Sequence, residues 1–319
     1  MNKIRCRFIH FIQEKMEKLL TTTEFAEAIG ASESSVRRWT NSGAIHTART
    51  AGGHRRIPLP EAIRFVRESG SAIVRPELLG MPILPAAAGK LLGSQALEEN
   101  LYEALRSGNA ISANGCVAGL FLNGLSVAAI CDGPMHGAMK RIGELWPNDP
   151  RAILVEHRAT TMSLHALGML RQMIGQPAEH APIALGGAPQ GDPYILPSMM
   201  AGTVLAEAGF HEMNFGPDTP LEVLAVAARE HKARIAWLAV KATVEGTKAR
   251  DKVNALAEQL AASGTLFVLG GSAVTSLGLR LSKNLHIMQN MTELAAFARG
   301  AAGLSNVVAP GVLGLDPSP

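Results

Sequence analysis

The sequence predicts a multidomain protein with a winged helix-turn-helix, a four-helix bundle and a Rossmann-like α/β domain with a doubly wound parallel sheet. A chain of 319 residues exceeds what one core usually encloses. Its first 75 residues carry 13 Lys and Arg against 7 Asp and Glu, whereas the remainder carries 17 against 20. Helical periodicity in the middle gives way to alternating strands and helices towards the end. A basic head on a mildly acidic body is typical of a nucleic-acid-binding unit joined to a sensing or oligomerising unit.

Composition narrows the class of protein. The apolar fraction of 47% with 18% charged residues indicates a well-packed interior. Cys6, Cys116 and Cys131 have neither metal-ligand spacing nor a pairing pattern, so we expect free thiols in a reducing cytosol. No run approaches the roughly 18 apolar residues that a membrane span needs. We therefore expect a cytoplasmic protein without a membrane partner.

Changes in composition set the expected boundaries. Pro76, Pro82 and Pro85 mark a linker between head and body. Residues 1–16 are either a disordered arm or an upstream extension, with Met16 as the natural start. The predicted units are an arm (1–16), a winged-helix head (17–75), a linker (76–87), a four-helix bundle (88–177), an α/β domain (181–303) and a tail (304–319).

The head begins with a capping-box pattern. Thr21 and Glu24 have the spacing of a capping box, and Gly30 is expected to end the helix that follows. Ser32 can cap a second helix over Glu33 to Thr40. Two short helices joined by a tight turn with glycine predict a helix-turn-helix, whose second helix enters the major groove of DNA.

The polar face of the second helix and the Gly52-Gly53 tip of the following hairpin are the candidate DNA-binding surface. Cations beside such a tip can reach phosphates as a wing does. The segment resembles the MerR-type winged helix, in which the pattern SVRRW…GGHRR is characteristic, over about 50 residues. The resemblance implies binding to double-stranded DNA with a two-fold operator, as a homodimer or homotetramer. The candidate DNA contacts are Ser34, Ser35, Arg37, Arg38, Arg49, His54, Arg55 and Arg56.

Four helical patterns follow in the middle of the chain. They cover approximately Leu91–Arg106, Ala110–Leu122, Val127–Leu145 and Arg151–Ile174, separated by Gly or Pro. Short connections between amphipathic helices predict a bundle.

Trp146 ends the third of these helices, and the adjacent Glu156-His157 pair lies early in the fourth. One interpretation is that the ring and the proton-active pair face a common ligand space. The other is a core Trp with a surface Glu-His pair. A metal site is a further alternative, although no HxxxH pattern supports it. Its ligands would be Glu156, His157, His136 and His165.

The last region alternates five times between a short apolar run and a helix. This order predicts a parallel doubly wound sheet, with ligands bound at the carboxyl ends of its strands. The sequence has no GxGxxG fingerprint and no Walker Lys-Ser/Thr, so neither a dinucleotide site nor a P-loop is expected. Within the loops that follow the strands, the candidate cofactor contacts are Asp192, Tyr194, Thr243, Gly270, Gly271 and Ser272.

The order of the three units resembles the B12-dependent MerR-like photoregulators of the CarH/CarA/LitR type over nearly the whole chain. The matching motifs are the winged-helix pattern, Trp146-x9-Glu156-His157, the Gly216–Pro220 loop and Gly270-Gly271. The resemblance implies that the bundle motif caps adenosylcobalamin, whose cobalt–carbon bond is cleaved by light. It also implies that the loaded tetramer represses in the dark and dissociates on illumination.

One motif departs from that family. Its cobalt-binding pattern is Asp-x-His-x-x-Gly, whereas this sequence has Asp192, Tyr194 and Pro197 at those positions. Imidazole is a good neutral ligand, but a phenol has a pKa of about 10 and must lose its proton to ligate well. Lys241 also stands where the resemblance leads us to expect a serine. The lower axial site is therefore altered.

These observations predict a DNA-binding regulator rather than an enzyme, with a module that senses a cobalamin-type ligand. Three ligand hypotheses stay open: cobalamin bound without a protein histidine, another tetrapyrrole against Trp146 and Tyr194, or a vestigial pocket. An alternative from another class is the corrinoid subunit of a methyltransferase or mutase. Tyr194 and the winged helix both count against that alternative.

Overall fold

The computed structural model describes residues 18–50, 52–81, 84–87, 90–145, 150–242, 247–279 and 283–303. Helix α1 spans Thr22–Ile29 and helix α2 spans Glu33–Asn41. The predicted capping box is confirmed, because the amide of Glu24 donates to Oγ1 of Thr21 (3.0 Å) and the amide of Thr21 donates to Oε2 of Glu24 (2.7 Å). Gly30, with φ of 67°, ends α1 in the left-handed conformation.

A small antiparallel sheet follows the helix pair. Strand β1 (Leu19–Leu20) pairs with β3 (Arg55–Pro58), which also pairs with β2 (Ala48–Arg49). Helix α3 (Leu59–Ser69) closes the head. The core of the head includes an edge-to-face contact between the rings of Phe25 and Phe65, whose centroids are 6.0 Å apart.

The segment after the head is packed where the structure describes it. Pro76–Leu79 form a 3₁₀ turn against α1, and Leu79 is completely buried. Strands β4 (Ala86–Ala87) and β5 (Lys90–Leu91) form a short hairpin. The first residues of the predicted linker therefore belong to the core of the head, whereas Pro82 lies outside the described residues.

The middle of the chain is helical, and its helices pack on one another. The predicted third helix is interrupted by a π-helical turn at Cys131–Met135. Pro134 lies inside this turn and has no amide hydrogen, so a regular helical hydrogen bond is missing there. The α-helices are α4 (Ser94–Ser107), α5 (Ala110–Leu122), α6 (Val127–Ile130), α7 (His136–Glu144) and α8 (Pro150–Ile174).

The last region confirms the predicted parallel sheet. Its five strands are parallel in the order β10-β9-β8-β6-β7. The chain leaves β6 for β7 on one side and then crosses to β8 on the other, so the topological switch point lies between β6 and β8. The elements are β6 (Ile183–Gly187), α9 (Ile195–Glu207), β7 (His211–Asn214), α10 (Leu221–Glu230), β8 (Ile235–Ala239), α11 (Thr247–Ala262), β9 (Leu266–Gly270), β10 (Leu285–Met288) and α12 (Met291–Ala301).

The two faces of the sheet belong to different cores. Trp237 and Val268 face a continuous apolar cluster that extends through α9, the middle helices and the head. Leu238 and Leu269, one residue further along each strand, face a second cluster with α10 and α11. Head and body therefore share one apolar core.

Gly186 on β6 makes room for the indole of Trp237, and this contact yields a stability prediction. A Cβ atom at residue 186 would lie 2.3 Å from Cδ2 of Trp237, so Gly186→Ala forces the sheet or the indole to move. We expect the free energy of unfolding to fall by about 2 kcal/mol, which urea denaturation would measure.

Gly168→Ala is the matched control for this substitution. Gly168 is exposed in the middle of α8 and has open space around its Cα, so alanine should raise the free energy of unfolding by about 0.5 to 1 kcal/mol. Equal effects of the two substitutions would contradict the packing described for Trp237.

Candidate functional site

The structure brings cations from α2 and the hairpin tip to one surface of the head. Arg37, His54 and Arg55 are exposed, and together with Arg56 they line a shallow crevice of about 310 Å³. Arg37 also forms an exposed ion pair with Glu33 (2.8 Å). Exposed pairs of this kind contribute little to stability, so Arg37 can exchange its partner for a phosphate at small cost.

The hairpin is tied to α2 by a direct hydrogen bond. Arg55 donates to Oδ1 of Asn41 at 2.5 Å, and Gly53 forms the turn with φ of 78°. This bond fixes where the cations of the tip stand relative to α2. Asn41 was not identified from the sequence, because nothing in its neighbourhood along the chain indicates a partner 14 residues away.

The other predicted DNA contacts are placed less centrally. Arg38 and Arg49 are exposed but do not line the crevice. The Ser34 and Ser35 hydroxyls both lie within hydrogen-bond distance of Oγ of Ser32, at 2.8 and 2.9 Å, at the start of α2. They are therefore engaged with the N-terminal cap of the helix as well as being close to its outer surface.

A cavity of about 480 Å³ lies at the carboxyl end of the sheet, within the range of about 300 to 1,000 Å³ that is usual for small-molecule sites. Its walls come from β8, β9, β10, the first turns of α9 and α12, and the π-helical turn. Gly270, Gly271 and Ser272, three of the predicted contacts, line it.

The loops after β8 and β9 approach each other so closely that residue 271 must be glycine. Its φ is 111°, and a Cβ atom would lie 2.2 Å from the carbonyl oxygen of Val240. The main role of Gly271 is therefore to let one wall of the cavity form.

Trp237 is a cavity residue that the sequence analysis missed. The side chain is 1% exposed, and its Nε1 has no hydrogen-bond partner among the described residues. The N–H itself is buried, so Trp237 contributes apolar ring atoms to the wall of the cavity. The signal was the alternation along β8, which places Trp237, Ala239 and Lys241 on the same face, and all three line the cavity.

Asp192 is completely buried beside the switch point. Its Oδ2 accepts from the amides of Lys241 (2.6 Å) and Ala242 (2.9 Å), and its Oδ1 accepts from the amide of Tyr194 (3.0 Å). The carboxylate thus links the loop after β6 to the loop after β8. Asp192 does not line the cavity, and its contacts are those of a residue that positions loops.

The structure describes only some of the residues that were predicted to contact the two faces of the cofactor. Tyr194 precedes α9, and its side chain is 48% exposed, while Glu156 and His157 are exposed on α8. Trp146 and Thr243 lie outside the described residues, so the predicted juxtaposition of Trp146 with the Glu-His pair stays a prediction.

The alternative metal site is not formed. Within the described part of the chain, no group of three or more His, Cys, Asp or Glu side chains is arranged to hold a metal ion. This includes the four residues considered for it, Glu156, His157, His136 and His165.

Two of the cysteines are confirmed as free thiols. Burial raises the pKa of the Cys116 thiol to about 11. The pKa of Cys131 is raised above that of Cys116, mainly by burial and to a smaller extent by the nearby carboxylates of Asp132 and Glu207. Both thiols are therefore protonated at neutral pH. Cys131 lines the cavity as an apolar group rather than as a nucleophile or thiolate ligand.

Two parts of the sequence match known domain families. Residues 19–61 match a helix-turn-helix domain, and residues 97–171 match a B12 binding domain. The chain thus contains a helix-turn-helix domain, which supports DNA binding, and a B12 binding domain, which supports cobalamin binding. No curated protein matches the sequence.

The structure is similar to three solved structures at low sequence identity. The monomethylamine corrinoid protein of Methanosarcina barkeri is 18% identical over 65% of this chain and 99% of its own, with a TM-score of 0.49. A cobalamin-binding protein from Desulfitobacterium hafniense DCB-2 is 16% identical over 66% and 99%, with a TM-score of 0.34. The methanol:cobalamin methyltransferase complex MtaBC of Methanosarcina barkeri is 14% identical over 66% and 81%, also with a TM-score of 0.34.

Among the described helices, none combines the length and the apolar character that crossing a membrane requires.

The residues that line the cavity and those of the altered motif can be compared with the chemical groups of a cobalamin. The apolar ring of Trp237 and the closely approaching glycine loop fit a flat organic group. Tyr194 supplies a phenol where a neutral imidazole would ligate cobalt. The residues therefore fit the organic part of the cofactor better than they fit its metal.

Removing the carboxylate of Asp192 should destabilise the sheet edge. Asp192→Ala leaves the amides of Tyr194, Lys241 and Ala242 without their acceptor in a buried place. We expect the free energy of unfolding to fall by about 2 to 4 kcal/mol in urea denaturation. Asp251→Ala removes an exposed carboxylate of α11 and should change it by less than about 0.5 kcal/mol. Similar losses for both variants would refute the positioning role.

Proposed function

We propose that this protein is a transcriptional regulator, in which the head binds DNA and the body senses a cobalamin-type ligand. The observation that carries the proposal is the presence of a helix-turn-helix domain and a B12 binding domain in one chain. The head carries a cationic surface, and the matched B12 binding segment contributes Cys131, Asp132 and His136 to the cavity at the sheet edge.

The head supports a MerR-like mode of DNA binding. Helix α2 presents Arg37 and Arg38 to solvent, and the hairpin presents His54 and Arg55 on the neighbouring surface. In this proposal α2 enters the major groove, and the hairpin acts as a wing on the adjacent phosphates. The resemblance to MerR-type heads supports a two-fold operator bound by a homodimer or homotetramer.

The body supports ligand binding without cobalt ligation by histidine. In the proposed complex Trp237 and the Gly270–Ser272 loop hold the organic tail, and Lys241 offers a cation at the mouth of the same cavity. Glu156 and His157 are exposed on α8, and the family resemblance is what supports a contact between them and the ligand. Adenosylcobalamin would supply a light-sensitive cobalt–carbon bond, and the family resemblance supports repression relieved by light.

The DNA-binding proposal predicts a salt dependence that the Arg37→Ala/Arg38→Ala double variant reduces. Each phosphate contact contributes about 0.9 to the slope of log K against log [salt], so the slope should fall by roughly two. Fluorescence anisotropy with a labelled mixed-sequence duplex at several salt concentrations measures it.

Arg229→Ala is the control for the DNA experiment. Arg229 is exposed on α10, away from the head, and its loss should leave the slope unchanged. A double variant that binds the duplex as wild type does, with the same slope, would refute the assignment of this surface.

The ligand proposal predicts that adenosylcobalamin co-elutes with the protein in the dark and that Tyr194→Phe leaves its absorption spectrum unchanged. The tyrosine is half exposed, and imidazole is the commoner metal ligand of the two side chains. Tyr194→His should shift the spectrum, because an imidazole would then be available below the cobalt. Haem and biliverdin, tested in parallel, distinguish cobalamin from other tetrapyrroles.

Two results would overturn the ligand proposal. Failure of adenosylcobalamin to co-elute would leave the cavity without its proposed ligand. A spectrum that changes in Tyr194→Phe as much as in Tyr194→His would show that the phenol itself coordinates the metal.

A further inference from the structure

One stretch of chain, residues 124–135, contacts the head at one end and the cavity at the other. We call it the connecting segment. It contains the turn after α5, helix α6 and the π-helical turn. At the head end, Arg67 of α3 donates to the carbonyl oxygens of Leu125 (3.2 Å) and Gly124 (3.4 Å). The guanidinium also lies over the ring of Phe121, 3.8 Å from its centroid.

Arg67 is unusual among the head's arginines because its contacts lie outside the head. Burial lowers the pKa of its guanidinium, and within the described ranges it forms no ion pair. A half-buried cation held by two carbonyls and a ring is costly to leave without them. The position of α3 is therefore sensitive to where residues 124 and 125 lie.

The same side of the head rests on the end of α8. Gly175, with φ of 86°, lies so close to Pro60 that a Cβ atom would come within 2.6 Å of its Cγ. Arg67, Phe121 and Glu207 line one crevice at this junction. Head, middle helices and α/β domain thus meet at a single place.

The middle of the connecting segment is held by the α/β domain. Glu207, at the end of α9, accepts from the amide of Val127 at 2.9 Å. Burial raises the pKa of Glu207, so this carboxylate depends on its few partners. Movement of α9 would therefore displace the start of α6 or break this hydrogen bond.

The far end of the connecting segment caps the helix beside the cavity. Asp132 accepts from the amides of Met291 (2.8 Å) and Thr292 (2.8 Å) and from the Thr292 hydroxyl (2.7 Å). Asp132, Cys131 and Met291 also line the cavity. A ligand that moves this wall must either move Asp132 or break its bonds to α12.

The π-helical turn gives the segment a place to change register. Such turns are usually single-turn irregularities inside α-helices, and they occur often at functional sites. Here the turn holds Pro134 and Gly133 between α6 and α7. Its helical hydrogen bonds are already incomplete, so a rearrangement there breaks fewer bonds than one in α5 or α8.

We propose that the connecting segment transmits ligand occupancy of the cavity to the head, with Asp132 as the cavity contact and Arg67 as the head contact. This proposal rests on the proposed function, because it needs a ligand in the cavity and DNA on the head. Arg67 is a positioning residue, since it lies in neither the cavity nor the DNA-binding surface, whereas Asp132 lines the cavity itself.

The first experiment measures DNA affinity of the full chain by anisotropy, with and without adenosylcobalamin. We expect the ligand to change the wild-type dissociation constant about tenfold, within the usual range for coupled sites. Arg67→Met keeps an apolar side chain over Phe121 but removes the donors, and Asp132→Ala removes the cap of α12. At saturating adenosylcobalamin, both should reduce the ligand effect on DNA affinity to less than about twofold. Arg67→Met, which lies outside both the cavity and the DNA-binding surface, should still bind adenosylcobalamin alone and DNA alone within about threefold of wild type.

Matched controls use residues whose partners are local. Among the described residues, Arg75 forms ion pairs with Glu27 and Glu77, and Arg75→Met removes both pairs. Asp251→Ala removes the exposed carboxylate of α11. Both should keep the full ligand effect. Loss of the effect in these controls, or its retention in Arg67→Met and Asp132→Ala, would overturn the proposal.

The second experiment needs neither ligand nor DNA, so it separates failure of this proposal from failure of the proposed function. Hydrogen exchange of the unliganded chain reports the protection of the Thr292 amide, which donates a hydrogen bond to Asp132. If the segment transmits, Arg67→Met should speed exchange at Thr292 at least fivefold, while amides of β6 stay unchanged. An unchanged rate at Thr292 would overturn the proposal even if wild-type protein binds cobalamin and DNA. A faster rate without cobalamin binding would instead refute only the proposed ligand.

Discussion

The buried carboxylate of Asp192 is the interaction on which the sheet edge depends. A doubly wound sheet opens at its switch point, because the loops that follow the two central strands turn in opposite directions. Asp192 bridges that opening by accepting one backbone hydrogen bond from the loop after β6 and two from the loop after β8. Without it the backbone around Lys241 would have to find other acceptors, and the neighbouring wall of the cavity would lose its fixed position.

The role of Asp192 does not depend on a bound metal. The three hydrogen bonds of Asp192 require a carboxylate but no cobalt. Two residues further on, Tyr194 is half exposed and supplies only its amide to this network. The pattern that looks like one motif in the sequence therefore separates into an aspartate that holds the loops together and a tyrosine whose side chain is exposed.

The sequence predicted local structure well, because caps and apolar periodicity are local properties. The bounds of α5 agree with the predicted Ala110–Leu122 residue for residue, and the sheet follows from the alternation of strands and helices. Packing between residues that are far apart along the chain could not be predicted from the sequence. The burial of Leu79, the contacts of Arg67 and the unsatisfied indole of Trp237 depend on partners far along the chain. Trp146 and Thr243 stay predictions, since they lie outside the described residues.

The close contact of Pro60 with Gly175 has a consequence for the operator. The head is seated on α8 through this contact, so among the described residues the position of α2 relative to the body is fixed. In a two-fold assembly, the distance between two such helices is then set by how the bodies pair. Half-sites on DNA are read about one helical turn, or a multiple of it, apart. The distance between half-sites, measured by DNA footprinting, would thus report how two bodies pair in the assembly.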